Sequence, residues 1–446
     1  MSEIRIGVKL NEQQGKAFEI LTKNDDVKNI LFGGAAGGGK SVLSCLWPMV
    51  MCNFYYETRW FVGREELKRI RESWLPTFYK LLKIYNIPSN HWRYNGQDHY
   101  LQHYKGGRID LLDLKYLPSD PMYERYGSIE YTCGIIEEGG ETNFGAFDVL
   151  KTRVGRYNNE RYGISSKILI TSNPKKNWLK TTFINPFRAG KLQSQYAYIP
   201  AFAHQNQFLD KGYLDNLDNI TDPVTKARLR DGDWDYADDK NQLMGFDKIN
   251  DLFTNEFVRT GDKAITADIA RFGKDKTIIG RWSGLRLEEI ERIDKSSIPD
   301  AAKVIRAIAT VHGIPMSNVV VDEDGVGGGV KDILNCRGFV NNARPIEVKG
   351  KDCNYANLKS QCSFLFSEDV NNSLIYVNCK LEAVKNMIIE ELEQVKDASI
   401  DTDGKKAVVS KDKVKDAIGR SPDYADMMIM RKYLDLPHVS KITGWR

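Results

Sequence analysis

The sequence lacks the marks of a membrane-spanning, secreted or zinc-stabilised protein. Its seven cysteines are odd in number and are nowhere spaced as C-x-x-C, so they indicate neither a zinc site nor a disulfide framework. The longest apolar stretch, residues 42–52, is broken by Ser44 and Pro48 and is shorter than the roughly 18 apolar residues of a membrane span. The chain does not open with a cationic segment and an apolar run, so we expect a cytosolic protein without a secretory signal.

A strong excess of charge is also absent. The 64 basic and 60 acidic side chains give a formal net charge of +4, so nucleic-acid binding must be argued from local sites. With 41% hydrophobic and 28% charged residues, the composition is typical of globular proteins. Because single hydrophobic cores stop growing near roughly 250 to 300 residues, a chain of 446 residues predicts two large domains.

In the first part of the chain, short apolar runs alternate with helical stretches, a pattern that predicts a parallel sheet with helices on its faces. We assign residues 1–235 to this domain, with 199–235 as a small appendage, and residues 236–258 to a polar linker. A second α/β pattern follows over residues 259–446. The predicted strands are 27–32, 60–62, 108–114, 131–136, 167–171, 264–269, 276–282, 285–293 and 318–321, and the predicted helices are 11–22, 40–55, 65–84, 301–312 and 329–334.

A glycine-rich loop follows the first predicted strand and matches G-x-x-x-x-G-K-[ST]. Glycines let successive backbone N–H groups point at phosphate oxygens, the lysine reaches the β and γ phosphates, and the serine ligates Mg²⁺. The alternative is a glycine-rich turn that matches by chance. We predict that ATP is bound by Gly34, Gly37, Gly38, Gly39, Lys40 and Ser41.

Polar side chains at other strand ends complete the predicted nucleotide site. Glu137 and Glu138 follow a buried strand, and we expect Glu137 to act on the metal side and Glu138 as the general base. A solvated acidic loop is the alternative. Asn173 ends the next strand and is placed to sense the γ-phosphate, and Gln14 is a weaker candidate for reading the adenine edge.

Transition-state charge on a phosphoryl group is typically met by a guanidinium. Arg125, shortly before the acidic strand, is our candidate for a catalytic arginine acting on its own or a neighbouring site. Arg64, after the second strand, is a candidate within the same subunit. For both arginines a surface ion pair is an equal alternative.

Separated aspartates mark a second candidate site. Asp268 and Asp322 each end a predicted strand, Asp275 follows across a turn, and Asp423 opens a C-terminal helix with Asp426 one turn further on. Phosphodiester cleavage by two divalent ions needs several carboxylates converging from different elements, and oxygen ligands suit Mg²⁺ or Mn²⁺. We predict that Asp268, Asp322 and Asp423 form this cluster, with Asp426 as the alternative third ligand. Taken singly, each aspartate is also typical of a turn or a cap.

A basic hairpin is predicted over residues 401–411. Lys405, Lys406 and Lys411 lie in it and are candidates for contacting DNA phosphates beside the acidic site. An ordinary solvated hairpin is an equal alternative.

The motifs above, taken in their order along the sequence, resemble those of the large terminase subunits of tailed bacteriophages over nearly the whole chain. The resemblance implies an α/β protein in which an N-terminal P-loop ATPase domain of the ASCE/RecA-like type precedes an RNase H-like α/β nuclease domain. Glu137 departs from the aspartate that is more usual in the family. The series that carries the resemblance is Gln14, residues 34–41, Glu137-Glu138, Thr171-Ser172-Asn173, residues 228–234, Asp268, Asp322 and residues 421–426.

The resemblance further implies a DNA-packaging motor that uses ATP and Mg²⁺ and works in the host cell cytoplasm. Its implied partners are double-stranded DNA, the small terminase subunit, the portal protein of the procapsid and further copies of the chain in a ring. Two other functions stay open. One is a DNA helicase or recombination ATPase with an RNase H-like resolvase, although the C-terminal half has no second P-loop; the other is a catalytically silent DNA-binding assembly factor.

Overall fold

The computed structural model describes residues 7–117, 119–237, 239–270, 276–294, 297–324, 327–350, 353–399 and 404–437. The chain forms two compact units that divide between residues 237 and 238. Within the described ranges, no helix has the length and apolar character needed to cross a lipid bilayer.

The first unit is built on one eight-stranded sheet. All five strands predicted for this part of the chain form, and six neighbouring strands of the sheet run parallel. The strands are β1 (Asn29–Gly34), β2 (Arg59–Arg64), β3 (Trp92–Asn95), β4 (Tyr100–His103), β5 (Arg108–Asp113), β6 (Cys133–Ile136), β7 (Ile168–Ser172) and β8 (Tyr196–Ala201). Their order is β3-β4-β5-β2-β6-β7-β1-β8, with β3 and β4 as an antiparallel extension.

Helices cover both faces of this sheet, which explains why its central strands β1, β6 and β7 are buried along their whole length. On β1, Ile30 and Phe32 join one buried cluster while Leu31 joins another on the opposite face. The predicted helix 65–84 contains a π-helical turn, Ile70–Trp74, between two α-helical parts. The helices are α1 (Glu12–Lys23), α2 (Lys40–Phe54), α3 (Leu67–Arg69), α4 (Leu75–Ile84), α5 (Phe144–Lys151), α6 (Asn159–Tyr162), α7 (Asn185–Arg188), α8 (Lys211–Asp218) and α9 (Pro223–Leu229).

The segment 199–235 differs from the predicted appendage. Its first residues belong to β8, which pairs with β1 along the whole of that strand. At the other end Trp234 is 2% exposed and lies in the same buried cluster as Leu31. The two ends of the segment are therefore built into the first unit, and α8 and α9 lie between them.

The second unit has a six-stranded sheet with the arrangement expected of an RNase H-like domain. A three-stranded antiparallel meander is followed by strands that add in parallel on either side. The strands are β9 (Lys263–Asp268), β10 (Thr277–Ser283), β11 (Arg286–Ile293), β12 (Val319–Asp322), β13 (Arg337–Phe339) and β14 (Tyr376–Val377), in the order β13-β12-β9-β10-β11-β14. The helices are α10 (Phe246–Asp251), α11 (Ile298–His312), α12 (Gly327–Leu334), α13 (Leu358–Asn371), α14 (Glu382–Leu392), α15 (Lys411–Ile418) and α16 (Asp423–Ile429).

Most of the predicted linker 236–258 belongs to the second unit. Met244, Phe246, Ile249 and Leu252 are fully buried and join its main hydrophobic cluster. Phe246, Ile249 and Leu252 are spaced for one helical face, but the surrounding polar residues hide the pattern in the sequence.

Candidate functional site

The glycine-rich loop connects the carboxyl end of β1 to the amino end of α2. Gly34, Gly37 and Gly39 have φ angles of 146°, 77° and 82°, which L-residues with side chains rarely adopt. Space is equally restrictive, because a Cβ on Gly34 would lie 2.5 Å from the carbonyl oxygen of Ala201. The loop therefore needs glycine for both conformation and packing, as a phosphate-binding loop does.

Lys40 is held at the centre of this loop. Its Nζ donates to the carbonyl oxygens of Gly34 at 3.3 Å and Ala35 at 2.5 Å, and to Oδ1 of Asn173 at 2.9 Å. The side chain is buried, and this burial lowers the pKa of Lys40 to about 8, although Glu138 and Glu137 oppose the shift. The ammonium is thus positioned where nucleotide phosphates would meet the loop.

β6, β7 and β1 are consecutive parallel strands, so their carboxyl ends meet at one edge of the sheet. Glu137, which follows β6, therefore lies close to the loop that follows β1. The Ser41 hydroxyl donates to Oε1 of Glu137 at 2.6 Å, and the Thr171 hydroxyl donates to Oε2 at 2.7 Å. Serine and carboxylate oxygens are the kind of ligand that Mg²⁺ binds. The structure therefore brings the two predicted metal-side residues of the nucleotide site together.

Glu138 is held in a left-handed conformation, with φ 50° and ψ 52°. The backbone N–H of Asn173 donates to its Oε2 at 3.4 Å, and its own N–H donates to the Thr171 hydroxyl at 3.3 Å. Burial, and then the adjacent charge of Glu137, raise the pKa of Glu138 above 4.5. Strain and a raised carboxyl pKa are common at catalytic positions.

Gln14 makes contacts with the phosphate loop that the sequence did not predict. Its side chain accepts from the N–H of Asn11 at 3.0 Å and donates to the carbonyl of Gly39 at 2.8 Å. Together with Asn11 it forms the capping box that begins α1. Both ends of the amide therefore hold the loop against α1, and the contact of Gln14 with an adenine edge stays a prediction.

The two arginine candidates are placed differently. The Arg125 guanidinium donates to Asp120 at 2.7 Å and to the Lys115 carbonyl at 2.6 Å, and lies over the rings of Tyr123 and Tyr126. These partners belong to the segment after β5, not to the nucleotide site, so Arg125 is not placed here as a catalytic arginine of its own subunit. Arg64 lies at the carboxyl end of β2, beside the acidic turn that follows β6.

Residues after β8 close around the loop, a feature that sequence reasoning missed. Asn206 Nδ2 donates to the carbonyl of Gly37 at 2.7 Å, and the N–H of Ala36 donates to the carbonyl of Leu229 at 2.7 Å. Arg228 Nε donates to the carbonyl of Pro174 at 3.1 Å, directly after Asn173. The α9 region therefore contacts both the phosphate loop and the end of β7.

The second unit brings the predicted aspartates together. Asp268 and Asp322 end β9 and β12, which are parallel neighbours, and α16 packs against β9 and β10. Burial raises the pKa of Asp268 well above its ordinary value; Lys411 opposes this, and Asp423, Asp426 and Asp322 add to it. Burial also raises the pKa of Asp322, with Asp426 among the carboxylates that add to the shift. The four carboxylates therefore share one electrostatic environment.

Asp426 has a larger part in this cluster than the sequence suggested. Its oxygens pair with Lys359 Nζ at 2.7 Å and with Lys411 Nζ at 2.8 Å, and these lysines lower the pKa of Asp426 to about 2 against the effect of burial. Asp423 instead accepts the backbone N–H of Lys276 at 3.0 Å. Asp423 and Asp426 both raise the pKa of Asp268, and Asp426 is among the carboxylates that raise the pKa of Asp322.

Lys411 bridges the acids where a cation would bind. Its Nζ lies 2.8 Å from Asp426 Oδ2 and 3.6 Å from Asp268 Oδ2. Across the described parts of the chain, no three His, Cys, Asp or Glu side chains are arranged to hold a metal ion as they lie. The all-oxygen donor set nevertheless suits Mg²⁺ or Mn²⁺, provided that Lys411 moves away from Asp268.

Antiparallel pairing flanks the predicted basic hairpin: Asp397 pairs with Val408, and the N–H of Ala398 donates to the carbonyl of Ala407 at 2.8 Å. Lys411 begins α15 and faces the acids, and Lys406 lies over the rings of Tyr355 and Phe364. Residues 401–403 of this segment, and Asp275, lie outside the described residues. Sequence reasoning missed Lys359 altogether, because nothing in its local pattern indicates a partner 67 residues away.

No protein-family description and no curated protein sequence matches the chain. Similar solved structures include the large terminase of a thermophilic bacteriophage, with 12% identity, 96% of this chain and 100% of that chain covered, and a TM-score of 0.43. The same protein in complex with ADP has 13% identity, 98% and 100% coverage, and a TM-score of 0.43. The nuclease domain of the large terminase subunit of bacterial virus Sf6 has 15% identity, 44% and 100% coverage, and a TM-score of 0.39.

Proposed function

We propose that this chain is a terminase large subunit that hydrolyses ATP in its first unit and cuts DNA in its second. The observation that supports this is the assembly of two different sites in one chain. One is a phosphate-binding loop with two adjacent glutamates, and the other is a group of aspartates from separate elements of an RNase H-like fold. A helicase or recombination ATPase does not account as well for the ordered series of motifs, and a silent assembly factor does not need both sites.

In the first site, the chain's own groups provide binding and proton removal. Lys40 and the loop N–H groups would bind the phosphates, and Ser41 and Glu137 would hold Mg²⁺, which supplies charge neutralisation. Glu138 would remove a proton from the attacking water, and Asn173, bonded to Lys40, would detect loss of the γ-phosphate. The contact of Arg228 with Pro174 gives the α9 region a way to respond to that loss.

In the second site, Asp268, Asp322 and Asp426 would hold divalent ions, with Asp423 as a further oxygen donor. Mg²⁺ or Mn²⁺ would supply activation of water and stabilisation of the leaving oxygen. The chain's contribution is to fix the carboxylates on β9, β12 and α16, and to balance their charge with Lys359 and Lys411 until ions bind.

The proposed substrate is double-stranded DNA, moved into a procapsid and cut from concatemers. The proposed partners are the portal protein, the small terminase subunit and further copies of this chain in a ring. The proposed place of action is the host cell cytoplasm. These assignments extend the family resemblance of the motifs.

The proposal is tested by the ATP hydrolysis rate with and without linear double-stranded DNA. We expect DNA to raise the rate of the unaltered protein, and Glu138→Gln to lower kcat by about 10²- to 10⁴-fold because the general base is lost. ATP binding should persist, since Lys40 and the loop are unchanged. Because the pKa of Glu138 is raised, the unaltered enzyme should lose activity on acidification at a higher pH than an ordinary glutamate would cause.

The matched control is Glu160→Gln, an exposed glutamate of the same unit, which should leave kcat unchanged. An unaltered protein that binds ATP but hydrolyses none, with or without DNA, would refute the motor assignment. So would full activity in Glu138→Gln.

A further inference from the structure

Arg64 lies beside the acids of the nucleotide site. In the parallel pair β2 and β6, Gly63 is opposite Ile136, and the N–H of Glu137 donates to the carbonyl of Gly63 at 2.8 Å. Neighbouring strands lie about 4.8 Å apart, so the backbone of Arg64 is adjacent to that of Glu137. Its side chain is only 14% exposed.

The guanidinium of Arg64 is tied to the turn that carries Glu138. Its Nε and Nη2 donate to Glu141 at 3.0 and 3.3 Å, and its Nη1 donates to the Ser73 hydroxyl at 3.0 Å. The N–H of Glu141 in turn donates to the carbonyl of Glu138 at 2.8 Å. Burial lowers the pKa of Arg64, but Glu141, Glu138 and Glu137 outweigh it, so all three carboxylates act on this guanidinium.

The same arginine is linked to the phosphate loop through a π-helical turn. Ser73 belongs to this turn, Ile70–Trp74, and so does Trp74, whose Nε1 donates to the Ser44 hydroxyl on α2 at 3.1 Å. π-Helical turns are frequent at functional sites. Arg64 is therefore fixed between the acidic turn and the first turns of α2.

In many P-loop enzymes a guanidinium at the γ-phosphate accelerates phosphoryl transfer, in addition to the loop lysine and the metal ion. The loop from Gly33 to Ser41 contains no arginine. Arg125 is engaged by Asp120 and Lys115 in another segment.

We propose that Arg64 is the arginine that stabilises the γ-phosphoryl group in its own subunit, exchanging a hydrogen bond to Glu141 for one to a phosphate oxygen. This inference rests on the proposed ATPase function. Glu141 accepts from the guanidinium in the structure. A nucleotide phosphate bound at Lys40 carries more negative charge than the Glu141 carboxylate, so it attracts the Arg64 guanidinium more strongly.

The test compares Arg64→Ala and Arg64→Lys with Arg69→Ala and Glu141→Gln. We expect both Arg64 variants to lower kcat by at least about 10²-fold with little change in KM, because a guanidinium at the transition state is worth about 10³ to 10⁵ in rate. Arg69 is the matched control, since it donates to the same Glu141 side chain at 2.9 Å but is 47% exposed. Arg69→Ala should keep kcat within about fivefold, as expected for an exposed ion pair.

Three results would contradict the proposal, and each points to a different cause. If Glu141→Gln lowers kcat as much as Arg64→Ala does, Arg64 only holds the turn and the proposal fails. If mixing Arg64→Ala protein with Lys40→Ala protein restores ATPase activity, the guanidinium acts on a neighbouring subunit and action in cis is refuted. An unaltered protein without ATPase activity would refute the proposed function itself, whatever the Arg64 variants do.

Discussion

Lys40→Ala is expected to lower kcat for ATP hydrolysis by at least about 10²-fold, the loss typical of removing one preorganised transition-state donor. Metal-dependent DNA cleavage should persist, because the aspartates lie in a separate compact unit. The expected loss is large because Lys40 is buried and is already aligned by Gly34, Ala35 and Asn173. Steady-state ATPase assays and plasmid nicking on the same preparation measure both effects.

Lys83→Ala is a suitable control, since Lys83 is an exposed lysine of the same unit. Thermal melting should show that the first unit of Lys40→Ala still folds. Loss of DNA cleavage together with ATPase activity in a folded Lys40→Ala protein would contradict two independent sites.

Asp268→Asn is expected to have the opposite effect. DNA cleavage should fall by about 10³-fold, since metal-ion catalysis supplies several kcal/mol and each 1.4 kcal/mol is about tenfold in rate. Asp268 is buried at the end of β9 and faces Asp322, Asp423 and Asp426, so an amide there removes the central anionic ligand. ATP hydrolysis should remain, and Mn²⁺-dependent plasmid digestion measures the loss.

The matched control is Asp262→Asn, because Asp262 is exposed just before the amino end of the same strand. It should cut DNA at the normal rate. Normal cleavage by Asp268→Asn would remove the aspartate cluster from the mechanism.

The parts of the nucleotide site that follow strands could be predicted from sequence. Carboxyl ends of parallel strands meet at one sheet edge, so Lys40, Glu137 and Asn173 were expected to lie together. In the structure Lys40 donates a hydrogen bond to Asn173, and the adjacent Ser41 donates one to Glu137. Gln14 could not be assigned, because a helical position does not reveal which backbone groups the amide will meet. In the structure it meets the phosphate loop.

The acidic cluster was predictable only in part. Strand-end positions indicated Asp268 and Asp322, but the choice between Asp423 and Asp426 depends on how α16 is rotated against β9 and β10. Lys359 and Lys411 are brought to Asp426 by α13 and α15, two helices that the periodicity did not reveal. Weak apolar periodicity also hid α10, which was assigned to a linker.

A crystal structure with Mn²⁺ and a slowly hydrolysed ATP analogue would test both sites at once. We expect anomalous density beside Ser41 and Glu137 with the analogue's phosphates at Lys40, and further density among Asp268, Asp322 and Asp426 with Lys411 displaced from Asp268. Absence of Mn²⁺ from the three aspartates at a saturating concentration, with Lys411 still bridging Asp268 and Asp426, would contradict the assignment of a nuclease.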